Sequence, residues 1–139
     1  MKRNNIWKIN KTVLPQDSDH AGVMWHGTYF NWLEESRIDA LSKVGMNYFD
    51  LTKKGYELPL IDASIKYILP LYLGDVIEIQ SVFKINKSPK INIQSNFISI
   101  DNKVSTKAEI NLVLVNKLNF SIVRKKPDFI SKAFSKLSN

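Results

Sequence analysis

Two carboxylates, Asp17 and Asp19, lie two residues apart in a polar segment that ends where a helical pattern begins. The first amides of a helix have no partner within the helix, and the helix dipole makes that end partly positive. Such amides can hold a developing oxyanion while a nearby carboxylate attacks a carbonyl carbon or activates a water molecule. The pairing is therefore compatible with hydrolysis of an activated acyl group. Asp and Ser residues before a helix also act as caps and turn residues, and the pattern alone favours that role.

The helix beside these carboxylates is predicted at residues 28–44, where apolar residues recur at steps of three and four. Gly45 marks its C-terminal end. Its apolar face is broad, so we expect the helix to be buried against a large surface. Shorter helices are predicted at residues 49–55 and from Pro127 through Leu137.

Five strands are predicted, at residues 5–14, 64–68, 76–85, 91–100 and 104–115, mainly from alternation with a period of two. The last four follow one another through turns and form a meander. A long helix separate from an antiparallel sheet indicates an α+β fold in which the sheet curls around the helix. Other α+β sandwiches fit the same pattern. We find no repeat or linker, which predicts one domain over residues 1–139.

The composition excludes several kinds of chemistry. The chain has no cysteine, so thiol nucleophiles, thiolate metal sites and disulfides are excluded. Its two histidines, His20 and His26, do not form a convincing metal-ligand pair, and no metal is predicted. We see neither a secretory signal nor an apolar run of about 20 residues, which predicts a cytoplasmic protein without a membrane span.

The net charge of +7 raises the question of an anionic partner. A nucleic acid would be one such partner, but the sequence carries no recognisable nucleic-acid-binding motif, and we expect none to bind. The basic residues are spread along the chain without a dense stripe. We attribute most of the charge to a composition rich in Lys, Asn and Ile together, although a positive field would also favour a phosphate-bearing substrate.

Residues 17–29 read DSDHAGVMWHGTY, and Trp32, Glu34 and Arg37 follow in the predicted helix. They resemble the signature D-x-D-x-x-G-V-V-[YW]-[HY]-x-x-Y, followed by W-x-E-x-x-R, of the 4-hydroxybenzoyl-CoA thioesterase family of hotdog proteins. A second block at residues 65–77, IKYILPLYLGDVI, is similar to the family pattern I-x-Y-x-x-P-x-x-x-G-D-x-[IL]. The two blocks have the order and spacing of the family, and together they cover much of the chain.

The resemblance implies a hotdog fold, with an antiparallel sheet of about five strands wrapped around one long central helix. It also implies hydrolysis of an acyl-CoA or acyl-carrier-protein thioester without a further cofactor. Assembly as a homodimer or homotetramer, with each active site at a subunit boundary, is expected as well. Residues 58–65 also resemble 1,4-dihydroxy-2-naphthoyl-CoA hydrolases of phylloquinone synthesis, which is an alternative. A non-catalytic acyl-thioester-binding protein is an alternative of another class.

Asp19 matches the catalytic carboxylate of the family, which either attacks the thioester directly or activates water. His26 is the second catalytic candidate, and Trp25 and Gly27 lie where the family's oxyanion amides begin the central helix. Asp17 is expected to shape the loop by accepting backbone hydrogen bonds. Thr28 stands where many relatives have Asn, so local hydrogen bonding can differ.

Three further residues are candidates for substrate binding. Glu34 matches a helix position that faces the acyl group in some relatives, and a surface role fits it equally well. Lys87 and Lys90 lie in a turn where they can contact the phosphates of CoA or remain solvated.

Overall fold

The structure, a computed structural model, describes residues 5–138. Residues 1–4 and 139, which the predicted domain includes, lie outside the described residues. The elements in chain order are β1 (Trp7–Thr12), α1 (His26–Lys43), α2 (Tyr48–Lys53), β2 (Tyr56–Glu57), β3 (Leu60–Tyr67), β4 (Val76–Ile85), β5 (Lys90–Ser99), β6 (Val104–Val113), β7 (Val115–Asn116) and α3 (Asp128–Ser138). Among these described helices, none has the length and apolar character of a membrane span.

Five of the strands form one antiparallel sheet in the order β1-β4-β5-β6-β3. The predicted α+β class with an antiparallel sheet of about five strands is confirmed. The strand predicted at residues 104–115 is divided, because β6 ends at Val113 and β7 pairs with β2 in a separate two-stranded sheet. Alternate residues stay buried as far as Leu114, so the sequence pattern did not reveal the break at that residue.

The inner face of the sheet is the face that alternation predicted. Ile77, Ile79, Phe83, Ile93 and Phe97 are buried there together with two serines. Helix α1 contacts β1 and β4, while α3 also packs against β4. The sheet therefore carries a second helix besides α1.

A chain of buried hydroxyl groups links α1 to the sheet. The Ser36 hydroxyl in α1 lies 3.2 Å from that of Ser81 in β4, and Ser81 lies 2.6 Å from Ser95 in β5. Each hydroxyl can both donate and accept, so each of the three buried groups has at least one hydrogen-bond partner. This chain helps to fix the helix on the sheet.

Two rows of paired residues define the ends of the sheet. At the Tyr67 end, Tyr67 pairs with Thr106, Thr106 with Phe97, and Phe97 with Ile79. At the Leu60 end, the corresponding row is Leu60, Leu112, Ile91 and Ile85. Along β4 the two rows are six residues apart, from Ile79 to Ile85, a distance of about 20 Å at the usual rise of a strand.

Strand β3 lies at the edge of the sheet and is exposed along nearly its whole length. Its exposed apolar side chains include Leu60, Ile61 and Tyr67. A long apolar edge strand of this kind is normally covered or paired, since its free backbone groups invite another strand.

Candidate active site

Asp17 ties the polar loop to the start of α1. Its carboxylate accepts a hydrogen bond from the Leu14 amide at 3.0 Å, which closes the short turn Pro15–Asp17. Its carbonyl accepts from the Trp25 amide at 2.8 Å and from the Thr28 hydroxyl at 3.2 Å. The predicted structural role of Asp17 is confirmed, and Thr28 takes part in the same contact.

The Asp19 carboxylate is held through one of its two oxygens. Oδ1 accepts from the Ala21 amide at 2.8 Å and from the Val23 amide at 3.2 Å, and Gly22 makes this tight turn with a φ of +77°. Across residues 5–138, Oδ2 has no hydrogen-bond partner. The loop thus orients the carboxylate while leaving one oxygen available for chemistry.

Helix α1 begins at His26, two residues before the predicted start. The cap residue Trp25 has extended backbone, and its amide bonds to Asp17. The amides of His26 and Gly27 donate to no atom in the described part of the chain. The start was missed because these two residues do not extend the apolar periodicity, yet they carry the unpaired amides that a helix start provides.

Asp19 and His26 line the same open cleft, of about 440 Å³, at the Tyr67 end of the sheet. Trp25, Tyr29 and Tyr67 form aromatic walls. Tyr29 packs edge-on against Tyr67, with ring centres 4.9 Å apart, and stacks on Phe97. Burial raises the pKa of the Tyr29 phenol.

Trp25 covers the space beside Gly27. A Cβ atom built on Gly27 would overlap the indole ring of Trp25, whose side chain is about half exposed. The Trp25 ring also lies 5.2 Å from the His26 imidazole, centre to centre. The structure therefore brings four of the predicted residues together at the start of α1: Asp19, Trp25, His26 and Gly27.

Glu34 lies outside this cleft in the same chain. It is eight residues after His26 in α1, which places it about 12 Å along the helix at 1.5 Å per residue. It lines a second cleft of about 350 Å³ with Arg37, Tyr48 and Phe120. Its carboxylate is 3.3 Å from the Arg37 guanidinium, which is only 9% exposed. We call this the second cleft; it reaches Leu58 and Leu60 at the Leu60 end of the sheet.

Tyr48 adds a short hydrogen bond to the second cleft. Its hydroxyl donates to the Glu57 carboxylate at 2.6 Å, and this bond raises the pKa of Tyr48. The cleft thus combines apolar walls with a guanidinium and two carboxylates, a combination that the sequence did not indicate because its parts are far apart along the chain.

Lys87 lies in a basic groove of about 550 Å³ with Arg124, Lys125 and Lys126. The Lys126 ammonium donates to the Asn86 carbonyl at 2.8 Å, and partial burial lowers its pKa. Lys90 begins β5 and does not line this groove. The basic run at residues 124–126 is visible in the sequence. It lies close to Lys87 only because α3 packs against β4.

Comparison with known proteins identifies the family. The thioesterase-like superfamily matches residues 13–132. The protein sll0410 of Synechocystis sp., provisionally named an esterase, is 27% identical over 132 residues, which cover 94% of this chain and 80% of that protein. The acyl-CoA thioester hydrolase YbgC of Escherichia coli O157:H7 is 22% identical over 112 residues, covering 81% of this chain and 82% of YbgC.

A solved structure shares the fold. Slr0204, a 1,4-dihydroxy-2-naphthoyl-CoA thioesterase from Synechocystis, superposes with a TM-score of 0.86 at 17% identity, covering 96% of this chain and 98% of Slr0204. The architecture is that of the hotdog thioesterases. The chain belongs to the thioesterase-like superfamily, and the predictions of this family and of a thioester hydrolase are confirmed.

Proposed function

We propose that the protein hydrolyses an acyl-CoA or acyl-carrier-protein thioester at the cleft of Asp19, giving a free acid and a thiol. The observation that carries this proposal is a carboxylate with one unpaired oxygen in the cleft where α1 begins with two unpaired amides. The thioester oxygen would rest on the amides of His26 and Gly27, which stabilise its negative charge as the carbon becomes tetrahedral.

The Asp19 carboxylate has two routes to hydrolysis. It attacks the carbonyl carbon, expels the thiolate and forms a mixed anhydride that water then cleaves, or it takes a proton from a water molecule that attacks instead. In both routes the C–S bond breaks and the thiolate gains a proton. The His26 imidazole, which lines the same cleft, is the proposed donor of that proton.

We propose that the chain, residues 1–139, is one cytoplasmic domain in which the sheet wraps around α1 as the central helix. We further propose that it forms at least a homodimer through β3. Two β3 strands related by a two-fold axis near their midpoint would pair antiparallel, with Leu60 of one copy beside Tyr67 of the other. The support is that β3 is an exposed apolar edge strand.

This pairing joins sites that lie apart in one chain. The Asp19 cleft is at the Tyr67 end, whereas the second cleft and the basic groove are at the Leu60 end. In the dimer the Asp19 cleft of one copy would open beside the second cleft of its partner. Glu34 would then face the acyl group bound in the partner's active site, which agrees with its predicted substrate-binding role.

The basic groove would receive the phosphates of CoA. It lies four strand spacings across the dimeric sheet from the β3 strand of the other copy, which is about 19 Å. Lys87 is the predicted phosphate ligand in the groove, with Arg124 and Lys125 as partners. Lys90, which begins β5 beside the same turn, remains a proposed outer contact.

A second candidate substrate is 1,4-dihydroxy-2-naphthoyl-CoA. The aromatic walls of the Asp19 cleft, formed by Trp25, Tyr29 and Tyr67, suit a flat fused-ring acyl group. Slr0204, which shares the fold, is named for this activity.

The test is hydrolysis of a panel of short-chain, long-chain and aromatic acyl-CoAs, with 1,4-dihydroxy-2-naphthoyl-CoA and an acyl-carrier-protein thioester included. Asp19→Asn keeps the oxygen that accepts from Ala21 and Val23 but removes the charge. We expect kcat to fall by about 10²–10⁴-fold at an unchanged melting temperature. Asp17→Asn is the matched control, and we expect its main effect to be on stability.

Two outcomes would contradict the proposal. Turnover by Asp19→Asn at the wild-type rate would remove the carboxylate from the mechanism. Tight calorimetric binding of an acyl-CoA, with no thioester of the panel cleaved, would instead assign the protein to the non-catalytic acyl-thioester-binding class.

A further inference from the structure

Tyr67 is the last residue of the edge strand β3, and its ring stands at the border of the Asp19 cleft. Its neighbours in the same row of the sheet, Thr106 and Phe97, are completely buried, whereas Tyr67 is 53% exposed. Residues paired across antiparallel strands lie on the same face, so this ring points to the inner face of the sheet without being covered there. The sheet thus places a large aromatic side chain where its core opens into the cleft.

The backbone fixes Tyr67 at this border. The amides of Ile68 and Leu69 both donate to the Ser105 carbonyl at 2.9 Å, which ends the regular pairing of β3 with β6. Ile68, Leu69 and Pro70 then continue along the same cleft wall. The ring of Tyr67 therefore belongs to a wall whose main chain is anchored to the sheet.

The Tyr67 ring leans on a rigid aromatic stack. It packs edge-on against Tyr29, with 4.9 Å between the ring centres. Tyr29 is 3% exposed and belongs to a buried stack with Phe97 and Trp32. In the part of the chain that the structure describes, the Tyr67 hydroxyl makes no hydrogen bond. The position of this side chain is thus set by the packing of its ring and not by its hydroxyl.

The acyl group of a bound thioester would reach Tyr67 soon after the reacting carbon. Tyr29 is three residues after His26, which places it about 4.5 Å along α1, and helical side chains lean toward the N-terminus of their helix. The Tyr29–Tyr67 pair therefore lies about one helical turn from the amides on which the thioester oxygen would rest. Beyond the ring, in the proposed dimer, lies Leu60 of the other copy, a residue that lines the second cleft.

We propose that Tyr67 determines the specificity of the Asp19 site by limiting the length of the acyl group, an inference that rests on the proposed function and dimer. Short-chain and aromatic acyl groups end in front of the ring. A long alkyl chain would need the space of the ring to enter the second cleft of the other copy, and the rigid stack behind Tyr29 keeps the ring from moving into the core. Glu34 of the other copy faces the far end of the acyl group across this ring. The substrates are therefore compact acyl thioesters.

The test compares kcat/KM for palmitoyl-CoA with kcat/KM for butyryl-CoA. We expect the wild type to favour butyryl-CoA. Tyr67→Ala should raise the palmitoyl-to-butyryl ratio at least about tenfold, because the space of the ring becomes available to the chain. Tyr67→Leu, which removes the ring but keeps an apolar side chain, should change the ratio in the same direction by a smaller factor. Both substrates are measured in one preparation, so a loss of folded enzyme does not change the ratio.

Tyr67→Phe is the matched control, because it keeps the ring and removes only the hydroxyl. Its ratio should equal that of the wild type. Three results would overturn the proposal: a wild type that favours palmitoyl-CoA, a wild-type ratio in both Tyr67→Ala and Tyr67→Leu, or a change in Tyr67→Phe as large as that in Tyr67→Ala. A smaller oligomer for Tyr67→Ala in light scattering would assign the residue to contacts between copies instead.

Failure of this inference is distinguishable from failure of the active site. A wild type that cleaves no thioester would contradict the proposed function itself. Cleavage of butyryl-CoA by the wild type, with a ratio that no variant changes, would contradict only the role of Tyr67.

Discussion

The Asp19 cleft and the basic groove differ in the part of the chain that supplies their polar groups. In the cleft these groups are the amides of His26 and Gly27 and a carboxylate held by two backbone bonds. In the groove they are the ends of long side chains, such as Lys87 and Arg124. Fixed dipoles can stabilise charge as it develops, whereas flexible cations bind charge that is already present. We therefore expect damage to the cleft to lower kcat and damage to the groove to raise KM.

After the loss of the Asp19 charge, the largest effect should follow from removing one of the two backbone donors. His26 is the first residue of α1, where proline is well tolerated, and the extended backbone of Trp25 suits a residue before proline. His26→Pro deletes the amide hydrogen together with the imidazole. We expect kcat to fall by about 10²–10³-fold, measured by steady-state hydrolysis of the best acyl-CoA.

His26→Ala is the matched control, because it removes the imidazole but keeps the amide. If the amide is the main contribution of this position, the alanine variant should lie much closer to the wild type than the proline variant. Equal losses in the two variants would assign the whole effect to the imidazole. They would show that the amide of residue 26 does not contribute to kcat.

An intermediate effect should follow from separating two copies of the chain. Ala63 is exposed near the midpoint of β3, so Ala63→Glu would place a charged side chain in the middle of the apolar edge that the proposed dimer covers. We expect the variant to be monomeric in light scattering. The rate of hydrolysis should fall at least about tenfold, because the Asp19 cleft is separated from the second cleft of the partner. Binding of adenosine 3′,5′-bisphosphate in calorimetry should persist, because the basic groove is complete in one chain.

Asn96→Glu, on the exposed face of β5, controls for the added charge. A monomeric Ala63→Glu protein with full activity would show that the Asp19 cleft works without a partner.

The smallest effect should come from the groove. Arg124→Ala removes one exposed cation, and we expect KM for acyl-CoA to rise by about three- to tenfold at constant kcat, with a smaller effect at high salt. Lys107→Ala, on β6 outside the groove, is the control. A fall in kcat without a change in KM would contradict the division of roles between groove and cleft.

Much of the fold was predictable because local periodicity determines it. Residues 76–85 and 91–99 alternate between apolar and polar side chains, and the structure buries the predicted set. Helix α1 ends before Gly45, as expected, with a φ of +83° at that residue. In the loop, the resemblance pointed to Asp19 and to the amides near His26, whereas the apolar pattern placed the helix start two residues too late.

The rest depends on contacts between distant parts of the chain. The groove needs α3 to bring Arg124 near Lys87, and the second cleft needs Glu57 and Phe120 to approach Glu34. Contacts between residues that are far apart in the sequence leave no periodic pattern in it. The early start of α1 was also missed, because a glycine and a histidine give no apolar signal even where their backbone is helical.

At residue 27, which lies against Trp25, the stability of α1 and the activity of the Asp19 cleft favour different side chains. Alanine is preferred over glycine in helices by up to about 1 kcal/mol, so a methyl group at residue 27 would favour the first turn of α1. The same methyl group would overlap the indole ring of the half-exposed Trp25, so this ring would have to move. The fold would thus tolerate or even gain from alanine here, and the glycine is explained by the shape of the cleft rather than by the needs of the helix.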